Sequence, residues 1–299
     1  MFSGCGKFIL VGEHFVLYEV PSLAIPWREG RVTLWEAEQA TTDAPFVAQV
    51  WESALEHFQL APIPLPTLCI ESNLPQGCGL GSSAAFCVAI VRLLADKAGL
   101  SLTVEEEIEA ATFCEGIFHG RSSGVDPTIA ATESLLRFQL NQPPVPVPWR
   151  LPEDLGFVVA VGPEPRQTAT AVARVKQFSV DSPARFQTLL QKMAGLVAEV
   201  ESLMRGETSQ GGQASAERLG VLLNANHEML REVGVSSPGL EAMVSAATEA
   251  GAYGAKLTGA GMGGSLIALA PPLLLPRLRE ALSRAGARLT FTTFPAQGD

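Results

Sequence analysis

Gly77-Cys78-Gly79-Leu80-Gly81-Ser82-Ser83 places three glycines at alternating positions just before a long apolar run. Without side chains, the backbone N–H groups of such a loop can turn toward one point. A helix opening at Ser82 would add its unpaired N-terminal donors and the positive end of its dipole. Together these make a cradle for a phosphate or another anion. The two serine hydroxyls can cap the helix, or one can reach a metal ion. An ordinary serine-capped loop has the same composition, and on physical grounds alone the two readings stand level. No Gly-Lys-Ser/Thr ends the loop, so it is not a Walker-type loop, and its spacing is not that of a dinucleotide fingerprint.

Charged residues in apolar surroundings are the second signal. Lys7 opens the strand-like run Lys7-Phe8-Ile9-Leu10-Val11, which ends at Gly12-Glu13-His14. A lysine buried on such a strand needs a partner, whereas one that snorkels to the surface does not. Glu115 lies on a predicted helix, and Asp126 follows past a segment rich in Gly and Ser. Asp126-Pro127 also suits a helix start, because proline favours the first helical position.

The elements that must hold these residues follow from periodicity and punctuation. Phe8–Val11 and Val16–Leu17 read as short strands around the 12–14 turn, with Ser22–Ile25 as another. Pro45–Leu60 has helical spacing, Pro62, Pro64 and Pro66 end it, and Thr67–Ser72 reads as a strand. Ser82–Ala98 is apolar nearly all round, which predicts a buried helix. Gly99 stops it, and Val104–Phe118 is the next helix. His119–Asp126 reads as a turn. Asn141–Pro152 holds five prolines (143, 144, 146, 148 and 152), which argues against regular structure and marks a boundary between halves 1–152 and 153–299. In the second half, strands are expected at Phe157–Val161, Lys256–Thr258, Leu266–Leu269 and Leu289–Thr293. Helices are expected at Thr168–Phe178, Ala184–Leu203, Ala216–Val233, Leu240–Ala250 and Pro276–Ala287, and Gly206–Gln213 reads as a loop. The mixture predicts an α+β or mixed α/β protein.

The 299 residues are 47% hydrophobic and 17% charged, enough for a full core and unlike a disordered chain. A formal net charge of -10 argues against nonspecific nucleic-acid or anionic-membrane binding, since both need basic surface. Cys5, Cys69, Cys78, Cys87 and Cys114 are odd in number, and no CxxC pair occurs. Reduced thiols in a cytoplasmic protein are expected. No signal peptide and no run of membrane-spanning length is read.

Pro75-Gln76-Gly77-Cys78-Gly79-Leu80-Gly81-Ser82-Ser83-Ala84 resembles the second motif of the GHMP kinases, Pro-x-x-x-Gly-Leu-Gly-Ser-Ser-Ala, at every fixed position. Gly6-Lys7 through Gly12-Glu13-His14 resembles the first motif, with Cys5 where proline is usual. Glu115-x-x-x-His119-Gly120-x-x-Ser123-Gly124-x-Asp126 resembles a third family stretch. Lys256-Leu257-Thr258-Gly259-Ala260-Gly261-Met262-Gly263-Gly264 resembles the motif Lys-x-Thr-Gly-Ala-Gly-Gly-Gly-Gly, with Met262 in place of one glycine. Thr132-Glu133-Ser134 replaces an aromatic-Gly-Gly type of stretch. Blocks 6–26, 74–126 and 220–266 carry the likeness, and His14 with the stretch 222–240 is most similar to the mevalonate kinase branch.

The resemblance implies a two-domain α+β fold: a ribosomal protein S5 domain 2-like N-terminal domain and a ferredoxin-like C-terminal domain. It implies ATP and Mg²⁺ as cofactors and a small-molecule substrate, mevalonate, phosphorylated on its C5 hydroxyl. By similarity, Gln76, Gly77, Cys78, Gly79, Leu80, Gly81, Ser82 and Ser83 bind ATP, together with Gly259 and Gly261. Ser83 and Glu115 hold Mg²⁺, Asp126 is the catalytic base, and Lys7 sits beside the reacting hydroxyl. Glu13, His14 and Thr168 lie near substrate, and His119 serves a structural hydrogen bond. Relatives acting on phosphomevalonate or a sugar share the nucleotide motifs, and a ligand-binding relative without turnover is a third reading. No nucleic-acid or membrane partner is expected, and a homodimer is compatible with the sequence.

Overall fold

A computed structural model describes residues 1–39, 45–119, 124–207 and 211–295, without the side chain of residue 119. In chain order these form β1 (Phe2–Val11), β2 (Ser22–Glu36), α1 (Pro45–His57), β3 (Leu68–Ser72), α2 (Ser82–Ala98), α3 (Val104–His119) and α4 (Val125–Thr132). Next come β4 (Leu136–Phe138), β5 (Val145–Pro146), β6 (Gly156–Val161), α5 (Thr168–Asp181), α6 (Pro183–Met204), α7 (Gly212–Glu232) and α8 (Pro238–Glu249). The chain ends with β7 (Gly254–Thr258), β8 (Ser265–Ala270), α9 (Leu275–Arg284) and β9 (Leu289–Thr293).

Residues cluster into two compact units that do not follow chain order. The first comprises Met1–Lys7, Pro26–Gln76 and Leu80–Glu133; the second comprises Phe8–Ile25, Gly77–Gly79 and Ser134–Asp299. The proline-rich stretch 141–152 thus lies inside the second unit. It is mostly irregular, as its prolines require, apart from the short pairing of β5 with β4.

In the first unit, Val32–Glu36 of β2 pairs antiparallel with β3, Leu34 opposite Ile70. α2 is interior: Ala84 through Val91 are all buried, which is why its sequence is apolar on every face. Its small residues let β1 approach closely. A Cβ added at Gly4 would lie 2.4 Å from the Ala85 carbonyl oxygen. α3 and α4 pack on the same helix.

In the second unit, an antiparallel sheet runs in the order β7-β8-β6-β9. Every residue of β6, β7 and β8 is buried, matching their near-continuous apolar sequence. α9 covers the sheet with Leu275, Leu278 and Leu282, a helical face read directly from the spacing. α7 crosses β7 at Gly220, where an added Cβ would meet the Tyr253 backbone carbon at 2.3 Å. Ser237 caps α8, its Oγ accepting from Leu240 N at 3.4 Å.

Three readings are corrected. Val16–Leu17 lies in a 3-10 turn, Phe15–Tyr18, not a strand. Val16 N donates to Gly12 O at 3.2 Å, and Leu17 N donates to His14 O at 3.1 Å. The strand at Ser22 runs on to Glu36 through Pro26. Pro26 lies between the 22–24 pairing with β4 and the 32–36 pairing with β3, outside both of those ladders. Asp126 is not the end of a turn but the second residue of α4, in keeping with the helix start read at Asp126-Pro127. Among the described residues no helix is long and apolar enough to cross a membrane.

Candidate active site

β1 carries Ser3, Cys5 and Lys7 on one face, as strand alternation requires. Lys7 does not snorkel to the surface. Its side chain is buried, and Nζ lies 3.2 Å from Oδ1 of Asp126, whose side chain is 32% accessible. The carboxylate therefore neutralises the buried ammonium and still reaches solvent. Asp126 sits in the first turn of α4, where the helix dipole favours an anion. Gly124 opens that helix at a left-handed φ of 77°, and its carbonyl accepts from Thr128 Oγ1 at 2.6 Å.

The start of α2 rests against the same lysine. Lys7 N donates to Leu80 O at 2.9 Å. Gly81, with φ 81°, is the residue before α2, and a Cβ there would stand 3.2 Å from Lys7 Cγ. Two residues on, Ser83 Oγ lies 3.3 Å from Oε1 of Glu115 on α3. Glu115 is buried. Lys7, Asp126, Ser83 and Glu115 thus belong to one unit and converge on the loop–helix junction.

The middle of the glycine loop belongs to the second unit. Cys78 O accepts from Ser265 Oγ at 3.1 Å, which ties the loop to the start of β8. At Gly79, with φ 80°, an added Cβ would fall 3.0 Å from Arg166 Nη1. The turn between β7 and β8 runs beside it, with Gly259 closest to Gly79 O. Gly261 is pressed against Val235 O. Met262, where the motif has glycine, takes a left-handed φ of 50°, and its N donates to Val235 O at 2.6 Å. Gln76 is exposed.

The Gly12–Glu13–His14 turn is held at three points within the second unit, and Ile9 before it at a fourth. Gly12 N donates to Asn226 Oδ1 at 3.2 Å. Glu13 is fully buried and forms an ion pair with Lys256, which also donates to Leu257 O at 2.7 Å. His14 Nε2 donates to Ala260 O at 2.7 Å, and Ile9 N donates to Thr258 Oγ1 at 2.9 Å. Burial lowers the pKa of Lys256 and the Glu13 carboxylate opposes this. Burial likewise lowers that of His14, against its bond to Ala260. Burial is the larger effect, so His14 is favoured neutral at pH 7. Thr168 opens α5 and is exposed. The His119 side chain and residues Gly120 to Ser123 lie outside the described residues.

The residues fit a hard divalent cation. Ser83 and Glu115 offer a hydroxyl and a carboxylate on facing helices. Mg²⁺ keeps most of its waters and needs only one or two such oxygens beside substrate phosphates. Among the described residues no group of three or more His, Cys, Asp or Glu could hold a metal ion. Alternating glycines before a helix N-terminus likewise suit a polyphosphate.

The GHMP kinases N terminal domain model matches residues 46–134, and the GHMP kinases C terminal model matches 212–288. A mevalonate kinase of Thermococcus sibiricus is 33% identical over 90% of this chain and 88% of its own length. This chain belongs to the GHMP kinases. A second mevalonate kinase, from Thermococcus gammatolerans, is 36% identical over 78% of the chain and 67% of that relative. The crystal structure of L. major mevalonate kinase in complex with R-mevalonate superposes with a TM-score of 0.80 at 27% identity, covering 99% and 96% of the two chains. The fold of this GHMP kinase is the two-domain α+β fold expected from its motifs. The family makes it an ATP-using phosphotransferase with an alcohol acceptor. Sequence reasoning gives no role to Lys256 or Asn226, and Arg166 enters only through the resemblance of 166–168 to a family loop near substrate. Lys256 was in view as the first residue of its motif, but nothing local says that its partner is Glu13.

Proposed function

We propose that this GHMP kinase transfers the γ-phosphoryl group of ATP to the C5 hydroxyl of (R)-mevalonate, giving 5-phosphomevalonate and ADP. One observation carries the reading: a buried ammonium and a half-exposed carboxylate 3.2 Å apart, beside a glycine loop that opens a helix. Asp126 accepts the hydroxyl proton as the oxygen attacks phosphorus. Lys7 stabilises the negative charge that grows on that oxygen. Ser83 and Glu115 hold Mg²⁺, which when bound neutralises charge on the phosphate oxygens.

Residues 76–83, with Gly259 and Gly261, bind the nucleotide phosphates through backbone N–H groups. His14 and Thr168 serve the acceptor. Glu13 does so through the turn it anchors, since its carboxylate faces Lys256. Residues 1–152 then carry the phosphate loop and the base, and 153–299 form the C-terminal half. All five cysteines are free thiols, which supports a reducing cytoplasm.

An assay coupled to ADP release, run over mevalonate, phosphomevalonate and several sugars, tests the acceptor. Mevalonate should give the highest kcat/KM. Asp126→Asn should lower kcat at least ~100-fold with ATP binding retained, in line with loss of a general base. Near-normal turnover by that variant would remove Asp126 from the role.

A further inference from the structure

Two departures from the family pattern, Cys5 and the stretch from Thr132, lie 127 or more residues apart in sequence, and Cys5 and Glu133 are close together in the first unit. Glu133 is the residue after α4 and takes a left-handed φ of 50°. That conformation is natural for glycine and costs any other residue. Its side chain has a specific use. The carboxylate takes both arms of Arg31, Oε1 at 2.5 Å from Nη2 and Oε2 at 3.0 Å from Nη1. Its carbonyl accepts from Arg28 Nη2 at 2.9 Å. Arg92 Nη2 donates to Ala131 O at 2.9 Å, so three arginines collect at the C-terminal end of α4.

The same arginines hold the start of β1. Arg31 Nη2 donates to Ser3 Oγ at 2.9 Å, and Arg92 Nη1 donates to Ser3 O at 2.5 Å. Two residues along the same strand face, Cys5 Sγ donates to Ile129 O at 3.6 Å. Burial and the nearby Glu133 push that thiol up to about 12, so it stays a donor. Two residues further, Lys7 meets Asp126. Ser3, Cys5 and Lys7 therefore run antiparallel to Ala131–Glu133, Ile129 and Asp126. Ser3 and Lys7 are about 13 Å apart along a strand, and Asp126 and Ala131 about 7.5 Å apart along a helix. Contacts at both ends fix the angle of α4 against β1, and that angle sets the separation of Asp126 from Lys7.

We propose that Arg31 and Glu133, with Arg28 and Arg92, are positioning residues: a brace at the far end of α4 that holds Asp126 at Lys7. This rests on the reading of Asp126 and Lys7 given above. It explains why the chain keeps a glutamate where glycine would sit without strain. Cys5 belongs to the same brace, because a proline there would offer Ile129 O no donor.

Glu133→Gly separates this from ordinary helix capping. Glycine relieves the left-handed residue, so a pure cap predicts unchanged or raised Tm and unchanged kcat. The brace predicts a fall in kcat of at least about tenfold with KM for both substrates within about twofold, since misplacing a catalytic group by about 1 Å can cost on the order of a hundredfold. A crystal structure of the variant should show Lys7 Nζ and Asp126 Oδ1 beyond the ~4 Å limit of an ion pair. Arg31→Lys, which keeps the charge and loses the fork, should behave the same way and serves if the glycine variant does not fold. A separation still near that of the parent, or an unchanged kcat, overturns the brace. Failure of the parent protein to phosphorylate mevalonate would instead overturn the proposed function, and the variant's Lys7–Asp126 separation would still decide the brace.

Discussion

Lys256 and Glu13 are a fully buried ion pair inside the second unit, and removing one partner differs from removing both. Desolvating two charges is costly, and their attraction repays it only with good geometry. Lys256→Met takes the Lys256 counter-charge away from a buried carboxylate, an expected loss of about 3–5 kcal/mol. Glu13→Gln with Lys256→Met removes both charges and should recover most of that loss. Urea denaturation of the two singles and the double variant measures the coupling. Equal, additive losses would mean that the pair contributes nothing beyond its two side chains. The same cycle in the ADP-release assay tells how far the turn at Gly12–His14 depends on the pair. A double variant that folds but binds mevalonate weakly places the charge of Glu13 in substrate recognition. One that folds and binds normally leaves it a purely structural anchor.

At the scale of elements, two helix-interior glycines should respond to alanine with opposite sign. Gly195 in α6 has nothing within 4 Å of an added Cβ, so alanine should add roughly 0.5–1 kcal/mol through helix propensity. Gly220 in α7 faces the Tyr253 backbone at 2.3 Å, and the clash should outweigh that gain by about 1–3 kcal/mol. Denaturant midpoints of the two variants check both signs. Elements of this kind were legible in the sequence. α6 and α7 have helical periodicity, α2 is apolar nearly all round, and β6 and β8 are apolar runs. What was not legible depended on partners far along the chain. β2 runs through Pro26, which lies outside its pairings with β3 and β4. α4 is eight residues long and emerges from glycines and serines that read as a turn. The motif residues of the site were legible through their resemblance to a family. Lys256 and Glu13, 243 residues apart, and Arg31 and Glu133, 102 residues apart, have no local signature.

At the scale of the whole molecule, acid should not act on both units at the same pH. His14 and His227 both belong to the second unit, and burial lowers both below the ordinary 6.5. Burial lowers His227 against the opposing Glu241. Nδ1 accepts from Leu257 N at 3.3 Å, so in the neutral ring Nε2 carries the proton toward Glu241 at 3.1 Å. Just below 6.5 the unfolded chain therefore binds more protons than the folded one. The stability of the second unit is full above that pH and is lost as pH falls toward the lowered folded values. In the first unit the relevant group is Glu133. Burial raises its pKa, but the Arg31 bond and the charges of Arg31, Arg28 and Arg92 bring it below the ordinary 4.5. That contribution is present above 4.5 and is lost only as pH falls below it. Hydrogen exchange followed from pH 8 to pH 4 should show β7 and β8 losing protection before α2 and α4. His227→Gln, which keeps a donor and an acceptor but cannot charge, should narrow the gap. Simultaneous loss of protection in both units would mean that the buried histidines do not govern the acid limb. The order matters for activity, because the Lys7–Asp126 pair lies in the unit that holds longer. A protein taken to pH 5.5 and returned to neutrality should then recover as fast as the second unit refolds.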